Sequence, residues 1–318
     1  MKKLENVSWQ GRWISDLACL KSCLKYLGVD VNDGWLYGAS GHAFALNIHG
    51  ELCPSGPTAW RKERIYELAQ NAGCHIHVMS AFKDAPDFAD RQRDAWEQVT
   101  KAIDEGLPCY GWELDIPEYY LINGYDGENY LYSGCTQEQG SKPWKELGDS
   151  GIGVLENHIV SPAEPADDKK TVRDALKFAI EHTKEPAKYS FNNLYKCGLN
   201  GYDLWIKALE SGRVDAGGMA FNVQAWGECR QNAFAFLKEA EHRIDSNGRA
   251  LFDGAIGCFE TVAQEFGRLQ RLFEFRPGDF ERVIADKQLL NEASQSLQKA
   301  REAEAGALAE FESITASL

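Results

Sequence analysis

Three carboxylates, Glu113, Asp115 and Glu118, fall within six residues around Pro117. Held close together they would repel one another and raise the pKa of one, giving an acid that can move protons near neutral pH. A solvated turn accounts for the cluster equally well. Among the nine cysteines, Cys19 and Cys23 lie four apart and share a helix face, and Cys53 sits in the loop LCPS close after His49. None has the paired C-x-x-C spacing of a zinc site, and most are expected to be small buried hydrophobes in a reduced chain. His42 follows the small-residue loop Ala39-Ser40-Gly41, which lets backbone approach a ligand closely. His75 and His77 alternate on a strand, the spacing of two metal ligands, but no third ligand is near, so no metal and no cofactor is expected.

These residues need elements to hold them. Ser15 and Asp16 are both good N-caps for a helix through Leu17, Leu20, Leu24 and Leu27 that stops at Gly28. The segment DGWLYG leads to the His42 loop, and AFALNIH reads as a strand closed by Pro54, Gly56 and Pro57. WRKERIYELAQNAG and FADRQRDAWEQVTKAIDEG read as helices ending on Gly73 and Gly106, with the strand CHIHVMSAF between them. PCYGWEL, EYYLINGYD and NYLYSGC follow as strands, with D-G-E-N as the hairpin turn, and GIGVLENHIV is one more.

The stretch SPAEPADDKK, with two prolines and three acidic residues, marks a boundary; after it the apolar period becomes 3.6 and stays there. The expected architecture is α+β for residues 1–160, a linker at 161–167, and an all-α bundle of five helices over 168–318. On the long helix of that bundle Asn222, Trp226 and Arg230 share one face. That polar and aromatic stripe could close over a ligand pocket or form a packing surface.

A net charge of −14 disfavours a nucleic-acid partner, which would need clustered Lys and Arg. No apolar run approaches the length of a membrane span, and MKKLENVSWQGRW has no apolar core behind its lysines, so a cytoplasmic protein is expected. Hydrophobic residues at 44% and nine Trp supply enough apolar surface for real cores, and permit a homodimer.

The run from Trp13 to Trp60, with KYLG, WLYGASGHAFALNIH and LCPS, together with PCYGWELDIPEYYLINGYD, resembles the N-terminal domain of the butirosin biosynthesis protein H family, which is related to double-glycine-leader peptidases. The resemblance covers roughly residues 8–160. It implies a papain-like fold and acyl transfer by a Cys–His pair, with the nucleophile where the first long helix begins and the His on a later strand. The matching positions here carry Ser15 and Glu118, with Ser133 at the orienting position, whereas Gln10 matches the oxyanion donor. Two readings follow. One is an enzyme acting on acyl, amide or peptide bonds through Glu118, Ser15 and Gln10, with His42, Asp115, Glu113, Trp226 and Asn222 around the substrate. The other is a catalytically degenerate papain-like module that binds a small molecule or peptide.

Overall fold

The computed structural model describes residues 1–212, 214–244 and 249–318. In chain order the elements are β1 (Lys2–Lys3), α1 (Ser15–Tyr26), α2 (Asp33–Ala39), β2 (Asn47–His49), α3 (Glu63–Leu68), β3 (Cys74–Phe82), α4 (Phe88–Asp104), β4 (Cys109–Trp112), β5 (Tyr119–Asp126), β6 (Asn129–Ser133), β7 (Gly140–Pro143), β8 (Val154–Pro162), α5 (Asp168–Lys184), β9 (Tyr195–Cys197), α6 (Leu199–Ser211), α7 (Ala216–Arg243), α8 (Arg249–Leu272), α9 (Phe280–Ile284) and α10 (Lys287–Ser317). Among the described residues no helix is long and apolar enough to cross a membrane.

Alternating residues make the strands. CHIHVMSAF is β3 along its whole length and pairs with β8 from Cys74↔Pro162 to Phe82↔Val154. One antiparallel sheet runs β3-β8-β4-β5-β6-β7, with β1 added against β5. Its side chains of one parity, including Cys109, Tyr120, Ile122, Tyr130 and Leu155, share an apolar core with Ala95, Val99 and Ile103 of α4. Strand alternation sends Tyr110, Tyr119 and His158 to the opposite face, and α1 packs against β5, β8 and β4.

The chain divides into two compact units that interleave in sequence, residues 1–31 with 73–165 and residues 32–72 with 166–318. This differs from the expected division into 1–160 and 168–318. Ser161 and Pro162, placed in the linker by composition, are the end of β8, paired with His75 and Cys74. AFALNIH is not one strand: His42–Phe44 is a 3₁₀ turn, and only Asn47–His49 is extended, paired with β9 rather than with the large sheet. The region after Asp167 is helical as expected, apart from β9 and a break that separates α9 from α10. Asp286 caps α10 by accepting from the Gln288 and Leu289 N–H groups, which satisfies two of the donors left over at that helix start.

The second unit is organised around Arg230, whose side chain is wholly buried. Its Nη1 donates to the Ala45 carbonyl, and Nε and Nη2 reach the two oxygens of Glu304 at 3.2 and 2.9 Å. The Tyr202 hydroxyl donates to the same carboxylate at 2.6 Å. Arg230 thereby joins α7, α10, α6 and the segment before β2. Burial opposes the charge, but Glu304, Tyr202 and Cys229 together outweigh it and hold the guanidinium more firmly protonated than usual. A buried ion pair need not stabilise relative to an apolar replacement, but half of one is costly. Arg230→Ala should therefore lower unfolding free energy by roughly 3–5 kcal/mol, and Arg230→Met with Glu304→Leu by less, both measured by urea denaturation.

The interleaved units make a second prediction. A single proteolytic cut within 163–167 should leave two fragments that co-elute on gel filtration, because residues 32–72 and 166–318 build one unit. Separation of the fragments without denaturant would contradict that packing.

Candidate functional site

Helix α1 begins at Ser15, and the residue in the N-cap position is Ile14, which has no side-chain acceptor to offer. Ser15 is therefore not the cap expected of it. Its hydroxyl is engaged across the fold: Oγ donates to the Glu118 carboxylate and accepts the Tyr119 N–H at 3.1 Å. Two residues 103 apart in sequence are thus joined by side chains at the start of α1 and the start of β5. Ser15 is 4% exposed, and Glu118 is half-buried.

The approach to Glu118 is shaped by its neighbours. Glu113 has a positive φ of 57°, a backbone region unfavourable for a residue with a Cβ. That conformation lets its N–H reach the Glu118 carbonyl at 2.9 Å, closing the turn between β4 and β5. The Glu113 carboxylate accepts from Ser150 Oγ at 2.8 Å, and Lys142 Nζ holds its carbonyl at 3.1 Å. Asp115 is exposed and accepts from Thr136 Oγ1 at 2.6 Å and Gln137 Nε2 at 3.0 Å. Those two hydrogen bonds hold the Asp115 carboxyl below the usual carboxylate range. Crowding was expected to raise a pKa in this cluster, but donors supplied by the Cys135–Gln137 turn decide the matter at Asp115. Glu113 closes the turn that presents Glu118.

Beside this pair lies a group that sequence reading passed over. Tyr110 and Tyr119 meet His158 on the sheet face toward α1, with the Tyr110 ring stacked on the imidazole at 4.2 Å, and Trp112 packs against Tyr119 at 5.0 Å. Glu156, two residues along β8, accepts from the Tyr119 hydroxyl at 2.9 Å and lies 3.1 Å from His158 Nε2. Burial and the nearby Asp16 push the Tyr110 hydroxyl well above the ordinary tyrosine pKa. The available signal was the spacing of Glu156 and His158, which places both on one face of a strand. It gave no indication of which other strands meet there.

The remaining expected residues fall elsewhere. Gln10 spends its side-chain amide on Ser8, at 3.1 Å to Oγ, and its own N–H on Ser22 Oγ at 3.0 Å. The N–H group that meets Ser15 Oγ is that of Tyr119. His42, Asn222 and Trp226 belong to the second unit and are fully buried there. His42 packs edge-on to Trp60 at 5.5 Å. Trp226 Nε1 donates to Asn222 Oδ1 at 3.2 Å, and Asn222 Nδ2 donates to the carbonyls of Leu52, Cys53 and Gly218. Asn222 thereby ties the Leu52–Cys53 loop to α7. Cys19 and Cys23 are buried, and burial raises both thiols well above the ordinary range. Among the described residues no group of three His, Cys, Asp or Glu is placed to hold a metal ion.

No protein-family model matches the chain, and no curated protein matches it.

Ser15→Ala would deprive both Glu118 and the Tyr119 N–H of the hydroxyl that they now meet. A buried donor left without its partner costs on the order of 1–3 kcal/mol. Thermal or urea unfolding of Ser15→Ala should show a loss in that range, and parent-like stability would mean that the bond does not hold α1 to β5.

Proposed function

We propose that the first unit is a papain-like domain that cleaves or transfers acyl, amide or peptide groups, with Ser15 as nucleophile and Glu118 as base. One observation carries this reading. The hydroxyl at the start of α1 is hydrogen-bonded to the side chain at the start of β5, and these are the positions that the family resemblance assigns to nucleophile and base.

In the proposed reaction Ser15 Oγ attacks the carbonyl carbon while its proton passes to Glu118. The tetrahedral oxyanion forms beside the positive end of α1. As it collapses, the leaving amine or alcohol takes the proton back from Glu118. Water or an acceptor nucleophile, deprotonated in turn by Glu118, then attacks the acyl carbon, and Ser15 Oγ leaves with the proton that Glu118 returns.

Replacing His by Glu costs about 2 pK units of basicity, at most about 3 kcal/mol. A hydrogen bond to a charged group contributes roughly 1.5–3 kcal/mol, and the Tyr119 N–H makes one to the developing alkoxide. The helix end adds roughly 0.3–1 kcal/mol. Because the Tyr119 N–H already bonds Ser15 Oγ in the resting state, only the strengthening of that bond as charge develops offsets the weaker base.

A second reading is favoured by the burial of Ser15 and by the full use of its hydroxyl, as donor to Glu118 and acceptor from Tyr119. There the pair is a latch inside a module that binds a small molecule or peptide without turning it over. A fluorophosphonate probe separates the two. The acyl-transfer reading expects a covalent adduct on Ser15 that survives prior iodoacetamide treatment, is absent in Ser15→Ala, and forms roughly 10²-fold more slowly in Glu118→Gln. A folded protein that never forms the adduct overturns this reading and leaves the latch.

A further inference from the structure

The large sheet ends in two unlike edges. At one end β7 is four residues long and carries Lys142 and Pro143, and the added strand β1 is two lysines. Brevity, lysine and proline keep a sheet edge from pairing with another chain. At the other end β3 has none of these. It runs for nine residues, Cys74–Phe82, without Asp, Glu, Lys, Arg or Pro, and its register with β8 is unbroken. Among the described residues no strand pairs with its outer side.

The backbone bonds define what that side presents. The Lys83 N–H donates to the Gly153 carbonyl, and the Ala163 N–H to that of Gly73, both at 2.9 Å. In an antiparallel pair such bonds recur at every second residue, so the odd-numbered residues between Gly73 and Lys83 face β8. Pro162, opposite Cys74, accordingly has no N–H to give. Cys74, Ile76, Val78, Ser80 and Phe82 therefore turn their N–H and C=O groups outward. The Ser80 carbonyl accepts from Arg91 Nη1 at 3.3 Å, a solvent-exposed bond. Met79 and Ala81 belong to the core under α4, so the even-numbered side chains stand on the opposite face. There Ile76 and Val78 are half-buried, and Phe82 is 62% exposed.

We propose that this edge pairs antiparallel with the same edge of a second copy of the chain, about a two-fold axis at Val78, joining two large sheets into one. The pattern of the strand selects its own copy. The outward-facing residues are centred on Val78, so setting Val78 against its counterpart is the register that pairs all of them on both copies. In that register Phe82 lies opposite Cys74 and Ile76 opposite Ser80, a larger side chain against a smaller one each time. On the other face His75 lies opposite Ala81. No formal charge meets its like along the strand. Copies that each carry −14 repel one another, and an uncharged strand lets them approach at least cost. The pairing is also closed. Because the far edge is blunted, the two-fold pair leaves no second long edge to recruit a third copy.

The test is the mass of the whole chain by light scattering, with the dissociation constant from sedimentation. The mass should be that of two chains and should fall to one on dilution. Val78→Lys sets two ammonium groups against each other at the axis and should raise the dissociation constant by at least about tenfold. Ser80→Pro removes an N–H that the β8 ladder does not use, at an exposed residue, and costs the dimer two hydrogen bonds, a weakening of roughly tenfold. It keeps the test open if Val78→Lys disturbs the sheet, which circular dichroism would report. A chain that stays monomeric, or a dimer that Ser80→Pro leaves as tight as the parent, overturns the proposal.

Discussion

A guanidinium cannot be buried alone, and in this protein one is buried completely. Arg230 finds its partners in the Ala45 carbonyl and the Glu304 carboxylate, so α7 and α10 cannot pack without the segment that precedes β2. That requirement accounts for the interleaving. Residues 32–72 leave the neighbourhood in which sequence order would keep them, and their backbone groups find partners among the later helices and β9. The Leu46 carbonyl and N–H both lie within 3.1 Å of His182 Nε2, in an environment that lowers the His182 pKa to about 4 through burial, so the imidazole stays neutral near neutral pH. The Cys53 loop inherits its rigidity from the same packing through Asn222.

In the first unit the comparable constraint is the two-sided sheet. Period-two alternation divides β4, β5 and β8 into an apolar face under α4 and a polar, aromatic face toward α1. Tyr119 serves this second face twice, its backbone N–H meeting Ser15 and its hydroxyl meeting Glu156. A helix start and two strands are therefore brought into register around one tyrosine. The positive φ of Glu113 is the local cost of turning β4 into β5 tightly enough to present Glu118 beside Ser15.

Much of the secondary structure was legible because it is local. The alternation of CHIHVMSAF and the helical spacing of FADRQRDAWEQVTKAID each give the element they imply. The Ser15–Glu118 contact was anticipated from family resemblance, not from any pattern in the residues themselves. Where local reading failed, a distant partner had intervened. Ser15 has the chemistry of an N-cap, but Glu118 takes its hydroxyl. The stripe of Asn222 and Trp226 suited a ligand pocket or a packing surface alike from its spacing, and two loop carbonyls and the Trp226 indole engage Asn222 inside the core.

Composition and spacing by themselves determined an α+β chain with an antiparallel sheet and a helical second half. Tertiary structure alone decided which of those pieces belong together, and hence which polar groups meet: Ser15 with Glu118, Glu156 with His158, Arg230 with Ala45 and Glu304, Tyr195 with Ser55 and Cys53. The reason is physical. Helix and strand periodicities are set by neighbours a few residues away and so are written into short stretches of sequence. A buried polar group must be satisfied by whatever the fold brings within about 3 Å, and that partner can lie anywhere in the chain.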